Sequence, residues 1–236
     1  MIRKTGELDI TPEYYFEKED AMHLTPALLP RLIQAIDHAI ETSAEEVTAL
    51  DQAIGDGDHV TNLQRGIKAL TVQADELARL DWMTAWQKIG MTLMTAVGGA
   101  SGSLYGTLFV AMSKAARDRS LDLQSFAEIF SSGVEAVKQR GKADAGEKTM
   151  LDVLIPVAAS LRQDAAESVA IADVLKNVSR TAVTGMESTR DMLATKGRAS
   201  FLGERSRGHI DAGAKTSQLM ICALVDVLAE HLTTPS

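Results

Sequence analysis

Apolar residues recur at intervals of three and four along most of this chain, and nowhere do they alternate over the length of a strand. That spacing is helical, because about 3.6 residues per turn bring positions i, i+3, i+4 and i+7 onto one face. Eight stretches carry it: 24–53, 59–79, 82–97, 103–118, 122–140, 147–163, 169–196 and 213–232. Leu63, Ile67 and Leu70 mark the second, and Phe126, Ile129, Phe130, Val134 and Val137 form a stripe on the fifth. The last is apolar nearly all round and is expected in the interior. Aromatic residues are only 4% of the chain, while Ala, Leu and Met are abundant, which again favours helix over strand. Pro26 suits a first helical turn, whereas Pro30 and Pro156 are expected to kink or restart their helices.

Glycine punctuates these stretches at 55–57, 98–106, 141–146, 197–208 and 213. No repeat of fixed period and no low-complexity tract interrupts them. The expected architecture is all-α, with about eight helices in one domain over 24–236 and a polar, acidic extension at 1–23.

With 24 Lys plus Arg against 32 Asp plus Glu, the net charge of −8 argues against a nucleic-acid or anionic-membrane binder. No run approaches the roughly 18 unbroken apolar residues of a spanning helix. The N-terminus lacks the apolar core of a signal peptide. A single cysteine, Cys222, excludes an intrachain disulfide and points to a reduced, cytoplasmic setting. It lies in an apolar run, where buried packing is expected.

The most informative segment runs from Leu50 to Asn62, LDQAIGDGDHVTN. Asp51 ends the first long helix, Asp56 lies between Gly55 and Gly57, and Asp58 stands where the next helix begins. A cap explains Asp58 alone. Three converging carboxylates repel one another unless cations sit between them, and Mg²⁺ takes carboxylates together with substrate phosphates and water. An EF-hand is excluded, because Thr61 stands where its glycine belongs and Ile67 where its glutamate belongs. His59 reads as a hydrogen-bonding or packing group, with a base or nucleophile as the sharper alternative.

A second segment, VGGASGSLYG from Val97 to Gly106, is neither a dinucleotide fingerprint nor a Walker loop. It cradles an anion at a helix N-terminus, or it lets two helices pack closely through Gly102 and Gly106. Two further connections, Arg140–Asp152 and Lys196–Ala214, are glycine-rich and cationic within an acidic chain. Each alone reads as a solvated loop. Beside an acidic turn they suggest a nucleotide site, with arginines and N–H groups for phosphates and Met150 for the base.

These four segments resemble the nucleotide-binding subunit family of dihydroxyacetone kinase, DhaL. The resemblance is carried by LDQAIGDGDH with Asn62 and Arg65-Gly66, by GMTLMTAVGGASGSLYGT, by RGKADAGEKTMLDVLIP and by KGRASFLGERSRGHIDAGA, in order from about residue 45 to 225. It implies a barrel of eight antiparallel, up-and-down helices with a nucleotide at one rim. It implies that Asp51, Asp56 and Asp58 hold two Mg²⁺ ions, and that His59, Val60, Thr61, Asn62, Ala100, Ser101, Gly141, Met150, Arg198, Asp211, Ala212 and Gly213 line the nucleotide site. Arg198 would also act in catalysis by offsetting phosphate charge. Two departures stand out. Val60 follows the histidine where the family usually has glycine, and Ala212 stands where it usually has proline.

The resemblance further implies a division of labour. The ketose is held on a separate kinase subunit, while this chain carries the γ-phosphoryl group as ATP. ADP is retained as a cofactor and rephosphorylated by a phosphohistidine protein of the phosphotransferase system, or free ATP exchanges. A homodimer is the remaining assembly to test. The competing readings are an ATP-dependent kinase subunit for another ketose such as a tetrulose, and a regulatory module that senses nucleotide state.

Overall fold

The computed structural model describes residues 24–233, so the extension at 1–23 lies outside the described residues. A single 3-10 turn, Pro26–Leu28, leads into α1 (Leu29–Thr42), with Pro30 in its first turn. The stretch 24–53 is not one helix. It breaks at Ser43, whose φ of −98° and ψ of 8° leave the helical well, and resumes as α2 (Ala44–Ile54). Neither proline nor glycine marks the break. Its effect is to bury Ile40 and Val47 completely on both sides of the bend.

There follow α3 (His59–Leu77), α4 (Trp82–Ala96), α5 (Gly99–Ala115), α6 (Leu123–Gly141), α7 (Leu151–Ala166), α8 (Ile171–Ser188) and α9 (Ala212–Thr233). Short 3-10 segments, Thr189–Asp191 and Arg198–Ser206, lie between α8 and α9. Local chemistry fixes several starts. Asp81 caps α4 by accepting from the Thr84 amide at 2.8 Å, and Asp122 caps α6 by accepting from Ser125 at 2.7 Å. Pro156 does not end α7, which runs through it. Its missing N–H frees the Asp152 carbonyl, and α8 brings Gly185 against that oxygen, where a Cβ would lie only 2.3 Å away.

Each helix from α3 to α9 packs on the next, and α1 packs on both α3 and α9, closing the ring. The broken pair α1–α2 serves as one stave, so eight staves make the barrel. Contacts between stave ends give the directions. Ser113, late in α5, donates to the Met83 carbonyl at the start of α4. Arg140, late in α6, donates to Ser103 near the start of α5. Arg31 of α1 pairs with Glu230 of α9 at 3.0 Å, and Lys215 at the start of α9 pairs with Glu46 of α2 at 3.0 Å. The staves therefore alternate up and down. Leu63, Leu77, Ile129 and Leu151 are among the side chains that fill the core.

Among the described residues, α9 is long and apolar enough to cross a membrane by length and composition. Here it is a stave packed against α1, α2, α7 and α8. It is less interior than its sequence suggests, because much of it is only half-buried. Cys222 is half-buried as well, with its sulfur 3.2 Å from Ser179 Oγ.

Candidate active site

Because the staves alternate, α3, α5, α7 and α9 all begin at one rim. The four glycine-rich segments of the sequence precede those four helices, so all four meet there. They enclose a cleft of about 440 Å³. Asp51, Asp56, Asp58, His59, Asn62, Ala100, Ser101, Gly141, Met150, Arg198, Asp211, Ala212 and Gly213 all line it.

The acidic turn is shaped by its glycines. Gly57 has a φ of +78°, which L side chains rarely adopt, and a Cβ at Gly55 would lie 2.2 Å from the Asp51 carboxylate. Asp51 Oδ2 accepts from the His59 amide at 3.1 Å, tying the end of α2 to the start of α3. Asp58 precedes α3, yet its side chain makes no cap hydrogen bond. The capping explanation therefore fails for it. Asp51, Asp56 and Asp58 each offer an oxygen within 4.8 Å of the others, a hard oxygen donor set that fits divalent cations. Arg198 reaches over from the far wall to Asp56, at 2.8 Å.

His59 is fully engaged. Its Nδ1 lies 3.1 Å from Ser101 Oγ and its Nε2 lies 2.9 Å from Thr216 Oγ1. Thr216 Oγ1 in turn lies 3.1 Å from the Ala212 carbonyl, to which it donates. A neutral ring protonated on Nε2 satisfies the whole chain, with Ser101 donating to Nδ1. Burial lowers the His59 pKa and favours that form, against the opposing pull of Asp51 and Asp58. The imidazole thus braces α3, α5 and α9 and has no free nitrogen for a phosphoryl group.

The second segment divides its glycines between the cleft and helix packing. Gly98 and Gly99 line the cleft ahead of Ala100 and Ser101. Gly106 instead packs against Gly90 of α4, where a Cβ would lie 2.8 Å from the Gly90 carbonyl. Asn62, bonded to Arg65, sits beside Gly98.

Val60 and Thr61 do not line the cleft. Val60 is buried in the core and Thr61 is exposed on the opposite side of α3, because successive helical residues point about 100° apart. Val60, where the family usually has glycine, therefore points its side chain into the core and not into the cleft. Ala212 is the first residue of α9, where a proline would fit and where alanine keeps helical geometry. Asp211 caps that helix by accepting from the Ala214 amide at 2.8 Å. Burial raises its pKa to about 6, against the lowering effects of that hydrogen bond and of Lys148.

Lys148 lines the cleft and escaped selection from the sequence. Its side chain is fully buried, and its ammonium donates to the carbonyls of Thr189 and His209. It thereby clips both ends of the segment bearing Arg198 to the wall bearing Met150. Thr149 and Tyr105 were missed too. The one available signal was the invasion of a glycine-rich loop by Lys148-Thr149 directly before a buried helix.

Residues 53–226 match the DAK2 domain. The chain is 40% identical to the ADP-binding subunit DhaL of PEP-dependent dihydroxyacetone kinase 1 from Listeria innocua, over 83% of this chain and 93% of that one. It is 42% identical to the ADP-binding subunit DhaL of the PEP-dependent dihydroxyacetone kinase of Escherichia coli K12, over 76% of this chain and 86% of that one. Its fold is that of part of the dihydroxyacetone kinase of C. freundii, solved with AMP-PNP and Mg²⁺: the TM-score is 0.66 at 22% identity, covering 96% of this chain and 38% of that one.

Proposed function

This chain belongs to the DAK2 domain family, and on that premise we propose that it is the ADP/ATP-binding, phosphoryl-transferring subunit of a dihydroxyacetone kinase. The single observation that carries the reading is the meeting at one rim of three uncapped or half-used carboxylates, the N-terminus of α5 and Arg198. The two DhaL relatives, alike over most of their length, support the substrate.

Asp51, Asp56 and Asp58 would hold two Mg²⁺ ions, whose chemistry is to offset phosphate charge and orient the diphosphate. The remaining work falls to the protein. The N–H groups at the start of α5, around Ala100 and Ser101, face the phosphates with the positive end of the helix dipole. Arg198 leaves Asp56 to take a phosphoryl oxygen, which offsets charge during transfer. Met150, Gly141 and Gly213 form the wall against the base. His59 acts by holding Ser101 and the start of α9 in place.

The ketose would be held by a separate subunit that docks at this rim. The names of the relatives support dependence on phosphoenolpyruvate and a bound ADP; a phosphohistidine protein would recharge that ADP. Such an activity belongs in the cytoplasm.

The purified chain alone should not phosphorylate dihydroxyacetone. Adding a cognate ketose-binding subunit should give one turnover per bound ATP, and native mass spectrometry should find ADP with two magnesium ions on the chain. Robust kinase activity from this polypeptide alone would refute the division of labour.

A further inference from the structure

We propose that Phe201 is the apolar anchor by which this rim docks the ketose-carrying subunit, an inference that rests on the function just proposed. Phe201 is 88% exposed, the most exposed large apolar side chain among the described residues. It is not on a frayed loop. In the turn Arg198–Ser206, Ala199 and Leu202 face inward and pack on Ile54 of α2 and on Ala194. Phe201 is presented outward by the same turn. Ser200 Oγ donates to the Gly197 carbonyl at 2.7 Å, and Ser206 Oγ donates to that of Gly203 at 2.8 Å. The Ala194 amide donates to Ser206 Oγ at 3.0 Å, and Thr195 Oγ1 bonds Glu147 at 2.8 Å.

The turn that displays Phe201 is therefore anchored at several points, so its backbone is ordered before any partner arrives. An aromatic displayed on an anchored backbone adds only the ordering of its two side-chain torsions to the cost of binding, and large aromatics are frequent interface hot spots. Its place identifies the occupant. Phe201 lies three residues from Arg198, on the turn whose Arg198 and Ala199 line the cleft from which a phosphoryl group would leave. In-line transfer requires the acceptor hydroxyl to come within contact distance of that group. A macromolecular acceptor must then cover this cleft, and the turn bearing Phe201 with it. The surface fitted to it is an apolar pocket with a polar rim that meets the charged neighbours Glu204, Arg205 and Arg207.

The test compares the full-length parent, Phe201→Ala and Phe201→Trp. Calorimetry reads Mg-ADP affinity, and biolayer interferometry reads affinity for a cognate ketose-binding subunit. Steady-state assays read KM for that subunit and kcat at saturation. Phe201→Ala should keep Mg-ADP affinity within about twofold while weakening subunit binding roughly tenfold or more. KM for the subunit should rise in step, kcat should hold, and Phe201→Trp should restore binding. Unchanged subunit affinity in Phe201→Ala, beside a parent that binds and turns over, would overturn the anchor alone. A parallel loss of Mg-ADP affinity would overturn it by assigning the ring to the nucleotide. A parent that neither binds the subunit nor supports turnover would overturn the functional reading and the anchor with it.

Discussion

Arg198 spans the mouth of the cleft to Asp56, with 2.8 Å between guanidinium and carboxylate. The two belong to segments more than a hundred residues apart, and the carboxylate they share is one of the three that converge for cations. Arginine and cation therefore compete for Asp56 until a phosphate gives the arginine a second partner. The pair is cheap to open, since the Arg198 side chain is 71% exposed and solvent screens it.

Arg198→Ala should leave the metal-free protein about as stable as its parent and weaken Mg-ADP roughly tenfold, the effect of one charge-assisted hydrogen bond. Calorimetric titration checks the affinity and thermal denaturation the stability. A variant that binds Mg-ADP as the parent does would remove Arg198 from the site.

Asp56→Ala and Asp58→Ala should each abolish metal-dependent ADP binding while the helical circular dichroism stays unchanged. Both carboxylates lie on an exposed turn and neither caps a helix through its side chain. Titration of ADP with and without Mg²⁺ measures it, and unchanged affinity would sink the metal assignment.

Ser101→Glu should place a carboxylate among the proposed phosphates and remove the hydroxyl that bonds His59. Mg-ADP should then no longer raise the melting temperature, since a ligand stabilises only the state that binds it. An equal thermal shift in variant and parent would take the start of α5 out of the nucleotide site.

Much of this was readable in the sequence. The helices 59–77, 82–96 and 123–141 fall within two residues of their periodic stretches, because each buries one clear stripe. The periodic stretch begins at 103, four residues after the start of α5 at Gly99, because Gly99 and Gly102 look like connection. Their cost to the helix is offset by approach to the cleft and to α4, which only the tertiary structure reveals. The break at Ser43 carries no local signal either, since burial of Ile40 and Val47 dictates it. Within the site, residue type and spacing identified the carboxylates. Lys148 stayed hidden, as a lysine normally reads as solvated and its acceptors lie 41 and 61 residues away.

Asp211 gives the metal-free protein a defined pH dependence. Its pKa is raised from 3.8 to about 6, so the native state holds its proton over a range where the unfolded chain has released it. Stability should therefore fall as pH rises from about 4 to about 6, by up to about 3 kcal/mol from this group, and level off above. Asp211→Asn keeps an acceptor for the Ala214 amide and removes the titration. The stability difference between parent and variant, measured by urea denaturation, should follow that window, and a flat difference would refute it.

Lys148→Met should destabilise the protein by roughly 2–4 kcal/mol, because it strands the buried carbonyls of Thr189 and His209. The segment bearing Arg198 should loosen first. Hydrogen exchange would read this as faster exchange over 189–211 than over α3 or α6, and uniform exchange would contradict it.

Alternation of the staves imposes a parity rule on the lineage of this barrel. A motif ahead of an even-numbered stave (α3, α5, α7 or α9) faces the cleft, and one ahead of an odd-numbered stave faces away. Gain or loss of a single helix would invert every later connection and carry its motif to the wrong end of the molecule. Helices can be added or deleted between the motifs only in pairs. The turns at the far rim, Ala78–Asp81, Ala116–Asp122 and Glu167–Ala170, are free to lengthen without moving a single residue of the site.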